Sequence, residues 1–418
     1  MIALIPYMRQ IHCAWRLQHA KQFLGLGRQI VSTNGIFRLL LGVIACGILL
    51  SAITRSVNRH EMIHNHDKGG EMKVEGLETV DYEERQKEGG HRKRLNKVMT
   101  EKEAVATFLH DGDSFAIGGF FQWRQPMSIV REIIRQRRRH LSFIDESGFF
   151  SMELLVGAGV IDRLDLAYFP IRQVGGLTGL PSVDRSLKEG DPRPIDIGGV
   201  LKTPEEKIRA DQLPLKIVDW TNFEVALRFM AGALNVPFMP CRSSLGTDIP
   251  KHNKDIKVMD DPYENKPLLL IPAYKPDVVF ISVQRADRRG NGQVWGFRGT
   301  EYWKARAAKH VVLITEELVP VERIYENPGM TVIPAYCTDA VVLLPYNCHP
   351  SGVYGWYIWD MLYDLRMLLA CQTKDGFSQW LDEWIYGCAD HFAYCDKVGW
   401  ENLDRLAKAE RVINRIPA

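Results

Sequence analysis

Residues 111–126 read DGDSFAIGGFFQWRQP, and this stretch restricts the possible folds more than any other. A polar turn, Asp111-Gly112-Asp113, feeds a short apolar strand over residues 114–117 that runs into Gly118, Gly119 and Phe120. Pro126 follows where the first turn of a helix tolerates a missing N–H. The spacing of Ile129, Val130, Ile133 and Ile134 predicts a helix over residues 127–138 with one apolar face. A strand that stops on paired glycines before a helix N-terminus lets a ligand approach bare backbone N–H groups. The same glycines also suit a tight strand-to-helix connection that holds no ligand.

From Lys97 onward apolar runs alternate with helical stretches, the pattern of an α/β domain on a largely parallel sheet. Strands are expected at residues 114–117, 141–144, 164–168, 215–218, 278–283, 310–315 and 340–344, and helices at 127–138, 223–234, 301–308 and 377–385. Residues 186–212 are rich in Pro, Gly and charge and read as an insertion loop. The aromatic run at 354–363 reads as core or subunit interface rather than a cofactor box.

The order of residue types within 111–126 resembles the signature of the family I CoA-transferases: an acidic-Gly turn, three apolar residues, Gly-Gly-Phe, a spacer, then x-x-Pro. Arg124, standing where the general pattern has Gly, looks like the glutaconate CoA-transferase branch. Later segments are similar to the A (alpha) chain of that family. They are Lys97-Val98-Met99-Thr100, Val236-Pro237-Phe238-Met239-Pro240, Ala286-Asp287 through Gly290-Asn291, Thr315-Glu316-Glu317-Leu318, and Asp339 to Tyr346 followed by His349-Pro350-Ser351. The resemblance covers roughly residues 97–399 and implies the open α/β sandwich of the CoA-transferase type.

Residues 1–96 read as an N-terminal extension ahead of a domain at 97–418 that is similar to the family's alpha chain. Residues 39–53 are apolar apart from Gly42, Gly47 and Ser51, just short of the roughly 18–20 residues of a comfortable membrane span. With Met72 opening a charged leader, an over-long start is expected here rather than a membrane anchor, and 54–97 reads as a disordered linker. The eight cysteines form no CxxC pair and no metal-finger spacing, so they read as reduced thiols of a cytoplasmic protein without a bound metal. A net charge of +2 shows no bias towards nucleic acid, and the run RQRRRH at 135–140 reads as the solvated end of a helix.

The resemblance implies CoA exchange between an acyl-CoA thioester and a small carboxylic acid, with CoA as substrate and no other cofactor. Relatives take the nucleophilic glutamate from a B subunit, so such a partner is expected and this chain alone is expected to be incomplete. Aligning back from Val236-Pro237 places Asn222 where relatives aim a carboxamide at the thioester oxyanion. Asn222 or Thr221 also suits a plain helix cap. Hydrolase relatives carry an acidic residue at that position, which makes hydrolysis the disfavoured alternative, beside a non-catalytic acyl-CoA-binding subunit. Glu146, in Asp145-Glu146-Ser147-Gly148 after a strand, is either a second crevice carboxylate, a nucleophile, or a structural turn residue. Gly118, Gly119 and Phe120 are expected against substrate, with Ser243, Ser244 and Gly246 in a small-residue loop and Arg124 or Arg242 as a carboxylate clamp. Glu316-Glu317 reads as a structural or interface charge pair, and His349 stays unassigned.

Overall fold

The computed structural model describes residues 95–168, 173–174, 177–178, 180–198 and 201–413. In chain order it begins with helix α1 (Glu101–Phe108), strand β1 (Ser114–Ile117), α2 (Met127–Arg135), β2 (Leu141–Asp145), α3 (Phe150–Gly157) and β3 (Ile161–Leu166). A hairpin of β4 (Gln173–Val174) and β5 (Leu177–Thr178) leads to α4 (Pro181–Glu189), β6 (Ile195–Ile197) and β7 (Leu201–Lys202). Next come β8 (Leu215–Asp219), α5 (Asn222–Ala233), β9 (Phe238–Cys241), α6 (Ile249–His252), β10 (Lys257–Asp260), β11 (Pro267–Pro272) and β12 (Val278–Ala286). Then follow β13 (Gly292–Gln293), α7 (Glu301–Ala307), β14 (His310–Leu318), α8 (Val321–Tyr325), β15 (Thr331–Ile333) and β16 (Ala340–Leu343). Helices α9 (Met361–Ala370), α10 (Lys374–Leu381), α11 (His391–Val398) and α12 (Trp400–Ile413) complete the order.

Strands β16, β14, β12, β1, β2, β3, β8 and β6 lie side by side in that order, and every neighbouring pair is parallel. The strands are apolar on both faces because helices cover both. Phe115, Ile117, Phe143, Phe280, Val312 and Ile314 point into one core, shared with α2, α3 and the C-terminal helices. Their neighbours Ala116, Ile144, Val279, Ile281, Val311 and Leu313 point into the other, shared with α5 and α7. This period of two is the strand signature itself. A separate antiparallel sheet, β10-β11-β9, flanks the second core.

From β1 the chain winds outward through β2, β3 and β8 on one side, and through β12, β14 and β16 on the other. The direction therefore reverses between β1 and β12. In open α/β sheets the ligand crevice lies beyond the carboxyl ends of the strands at such a reversal. Gly118 and Gly119 stand at that point.

Several elements differ from their expected bounds. Residues 186–212 are not one loop: α4 reaches Glu189, β6 extends the parallel sheet beside β8, and β7 closes a hairpin on it. Helix α4 holds because Pro181 starts it, Val183 is buried, and Lys188 pairs with Asp184 one turn away at 2.7 Å. Gly190, at φ +69°, then stops it in the left-handed conformation. The helix expected at 377–385 instead spans Lys374–Leu381, capped by Thr373, and continues as a π-helical turn over Asp382–Tyr386. β3 starts earlier than expected, at Ile161. Among the described residues no helix is long and apolar enough to cross a membrane. The apolar stretch at 39–53 and the linker that follows lie outside the described residues.

Candidate active site

The turn after β1 is fastened by its own backbone. Gly118 N–H donates to Phe280 O at 2.7 Å, Phe120 N–H to Trp123 O at 2.9 Å, and Arg124 N–H to Gly352 O at 2.8 Å. Gly119 has φ +89°, and a Cβ there would collide with the Trp123 carbonyl and the Arg124 backbone. Gly119 N–H donates to Glu301 Oε1 at 3.1 Å. The glycines are thus needed by the turn itself, and their N–H groups are not bare as the sequence suggested. Phe121 and Arg124 also hold positive φ, +55° and +57°, a costly conformation for residues with a Cβ.

Arg124 is expected as a substrate clamp, but the structure places it inside, only 2% exposed. Its Nη2 meets Glu301 Oε1 at 2.7 Å and Phe297 O at 2.7 Å. Burial works against the Glu301 anion, yet Arg124, Lys304 and the Gly119 N–H together hold its carboxyl below the usual range. Arg242, the other suggested clamp, pairs with Asp261 at 2.7 Å.

Glu146 stands at the end of β2. Its Oε2 accepts from Lys304 Nζ at 2.6 Å, and its Oε1 accepts from the Thr300 hydroxyl. Lys304 Nζ also donates to Ile117 O at 2.8 Å and lies 3.8 Å from Asp145 Oδ1. One ammonium therefore ties the ends of β1 and β2 to the first turn of α7. Burial alone would lower the Lys304 pKa, but the Glu146 and Asp145 charges raise it. Asp145 is pushed up to about 7, first by burial and then by Glu146, against the pull of Lys304. Both its oxygens lack a hydrogen-bond partner among the described residues.

A second group gathers at the start of α5, on the same edge of the sheet. Thr221 caps the helix in a capping box: its hydroxyl accepts from Glu224 N–H at 3.1 Å, and Glu224 Oε2 accepts from Thr221 N–H at 2.8 Å. The other oxygen, Glu224 Oε1, accepts from Ser243 Oγ at 2.9 Å and Ser244 Oγ at 2.5 Å. A hydroxyl has one proton. In this arrangement Ser243 and Ser244 donate their protons to Glu224. Asn222 is exposed at the first helical position, while Thr221 does the capping. Gly246 is exposed at φ +82° with open space around its α-carbon.

Helix α5 packs beside α7, with the Lys304 ammonium 5.3 Å from the Phe229 ring centroid. Aromatic side chains rim the edge: Phe223 is 58% exposed, Phe297 58%, Tyr168 47% and Tyr302 43%. Phe120 packs on Phe297 with ring centroids 5.5 Å apart. Sequence reasoning missed Thr300, Glu301 and Lys304. The only signal was a Glu and a Lys one turn apart in a helix behind a glycine turn.

Glu316 and Glu317 face opposite ways. Glu316 is buried and accepts from Tyr346 N–H, Asn347 Nδ2 and Tyr357 OH, each at 2.6 Å; burial pushes it up to about 8 despite those bonds. Glu317 pairs with Arg285 at 2.6 Å. His349 is fully buried, with Nδ1 2.7 Å from Tyr394 OH and Nε2 3.2 Å from Asp360 Oδ2, and so fastens the C-terminal helices.

A parallel sheet that reverses at a buried, doubly ion-paired glycine turn defines an α/β protein with its working edge at the carboxyl ends of its strands. The chain belongs to the coenzyme A transferase family: residues 98–344 match the family described as Coenzyme A transferase. It is 33% identical over 350 residues to an uncharacterized protein of Archaeoglobus fulgidus, covering 84% of this chain and 73% of that one. It is 30% identical over 307 residues to the A subunit of 3-oxoadipate CoA-transferase from Pseudomonas knackmussii, covering 73% of this chain and 99% of the relative. The solved glutaconate coenzyme A-transferase from Acidaminococcus fermentans superposes with a TM-score of 0.65 at 26% identity, over 74% of this chain and 95% of that one. The chain is accordingly a member of the coenzyme A transferase family, and its α/β fold with a mainly parallel sheet is that of the family.

Proposed function

We propose that this chain is the A half of a two-subunit cytoplasmic CoA-transferase that moves CoA between an acyl-CoA thioester and a small carboxylic or dicarboxylic acid. The nucleophile is a glutamate of a partner B subunit. Its carboxylate oxygen attacks the thioester carbonyl, and CoA leaves as the thiolate, giving a mixed anhydride. The thiolate then attacks the glutamyl carbonyl and expels the first acid, leaving a glutamyl-CoA thioester. The second acid reverses both steps. No metal or redox group is needed, and CoA is a substrate.

The observation that carries this reading is Glu146. It is 4% exposed, and both its oxygens already accept hydrogen bonds, from Thr300 and Lys304. A carboxylate so held is a poor nucleophile, which leaves attack to another chain. The relative named as the A subunit of 3-oxoadipate CoA-transferase supports such a partner. The exposed aromatics at the working edge suit its docking. On this reading the Asn222 amide meets the thioester oxyanion, a contact worth about 3 kcal/mol in comparable sites. The glycine turn, with Phe120 and the 243–246 loop, forms the wall against which the substrate lies.

The test is CoA exchange by the purified chain, alone and with a candidate B subunit, with borohydride trapping of any glutamyl-CoA and mapping by mass. An adduct on the partner's glutamate alone is expected. An adduct on Glu146 of the lone chain, or thioester hydrolysis without an acceptor acid, would overturn the proposal.

A further inference from the structure

A cavity of about 290 Å³ opens on the edge of the sheet opposite the crevice, where α2 ends and β2 begins. Arg137, Arg138, Arg139, His140, Arg193 and Tyr386 line it, and among the described residues no Asp or Glu does. The sequence alone suggests a solvated helix end at 135–140. The backbone turns left-handed at Arg137 (φ +56°) and again at His140 (φ +59°), which folds the run over a concavity. Arg139 N–H donates to Asp111 Oδ1 at 3.0 Å and pins the segment.

The cations at this cavity are not evenly neutralised. Asp162 bonds both Arg193 and, at 2.9 Å, His140. The Arg137 guanidinium lies over the Tyr386 ring, 5.1 Å from its centroid. Arg138 donates from Nη2 to Gln136 Oε1 at 3.1 Å, while its buried Nε has no acceptor among the described residues. Like charges gathered at one concavity repel, and an α-helix C-terminus offsets only about half a charge. A buried guanidinium N–H without an acceptor is costly. A polyanion bound in the cavity relieves the repulsion.

We propose that this cavity binds a small oligophosphate, a diphosphate group as in inorganic pyrophosphate or a nucleoside diphosphate. Guanidinium forks match phosphate oxygens two at a time, and a single carboxylate would neutralise one cation only. The site is separate from the acyl-CoA crevice: β2 runs from Leu141 at the cavity to Asp145 at the crevice, about 13 Å along the strand. The inference is independent of the catalytic reading and holds whether or not the chain transfers CoA.

The experiment is calorimetric titration of the full chain with inorganic pyrophosphate at fixed ionic strength, repeated with ADP. One site per chain is expected, with at least about tenfold weaker binding in R138Q/R139Q. R289Q, an exposed arginine elsewhere, should bind as the parent does. An unchanged ligand-free Tm of R138Q/R139Q excludes misfolding, and R139E gives an independent loss. No saturable binding, several equivalent sites, or equal affinity in R138Q/R139Q would overturn the proposal. So would displacement of pyrophosphate by CoA, which would make the cavity part of the CoA site. Binding of single-stranded RNA lost in these variants while pyrophosphate affinity is unchanged would overturn it as well. ADP binding as tightly as pyrophosphate identifies the diphosphate as the recognised group, and pyrophosphate binding alone identifies the free anion; both support the site.

Discussion

Lys304 and Glu146 form a buried ion pair at 2.6 Å that also reaches the Ile117 carbonyl, so a single side chain spans the two strand ends flanking the glycine turn. Its removal leaves Glu146 and Asp145 as buried carboxylates without a cation. Lys304→Met is expected to cost about 3–5 kcal/mol, the usual penalty for breaking such a pair from one side. Pairing it with Glu146→Gln should recover part of that loss. Urea denaturation of the single and double variants checks this, and a single variant within about 1 kcal/mol of the parent would refute the role assigned to Lys304.

Gly119 and Gly246 both sit at positive φ, +89° and +82°, but only the first is crowded. Gly246→Ala carries the penalty of the left-handed conformation alone, about 1–2 kcal/mol. Gly119→Ala adds a collision with the Trp123 carbonyl and should destabilise by clearly more, with loss of the Gly119–Glu301 bond. Equal chemical-denaturation midpoints for the two variants would contradict this account.

Asn222 and Thr221 separate chemistry from capping. Thr221→Ala should cost about 1 kcal/mol of stability through the lost cap. Asn222→Ala, at an exposed position, should change stability by less than about 0.5 kcal/mol, yet slow CoA exchange about 100-fold when a B subunit is present. If exchange is unaffected by Asn222→Ala, the oxyanion role is wrong.

Asp364 is buried beside Asp360, and burial followed by that neighbouring charge pushes it up to about 8 from 3.8. A folded acid with a raised pKa binds protons more tightly than the unfolded chain. Its contribution is fully present below pH 3.8 and is lost as pH rises through about 8. Between these limits stability should fall with pH by up to about 1.4 kcal/mol per unit from this group. Asp364→Asn should flatten the curve between pH 5 and 8, measured as stability by denaturant titration at each pH. A parallel curve would remove Asp364 as the source.

Much of the sheet was legible because strands covered on both faces are uniformly apolar: Ser114–Ile117 matched its expected bounds, and Val278–Ala286 and His310–Leu318 ran a few residues longer. The extension came where polar residues enter at the working edge, as at Gln284 and Glu316, which local pattern reads as strand ends. The reversal at Gly118 and Gly119 was visible as a motif, but its reason was not. Nothing local announces that Glu301 will cap the Gly119 N–H or that Lys304 will hold Glu146, since those partners lie more than 150 positions away in the chain. The arginine run at 135–140 was legible as a solvated helix end, since α2 stops at Arg135 and Arg137, Arg139 and His140 are exposed, but its bend was not. Its composition was plain, while the two left-handed residues that bend it around a cavity carry no glycine to mark them.

Glu224 closes the first turn of α5 with one oxygen and holds Ser243 and Ser244 with the other. The helix tip bearing Asn222 and the loop carrying Gly246 are therefore a single mechanical part, hinged on one carboxylate. Grafting a loop from a relative to change the acid accepted would have to bring two hydroxyls at those positions with it. Without them Glu224 is left half-satisfied in the interior, and the amide shifts along with the loop.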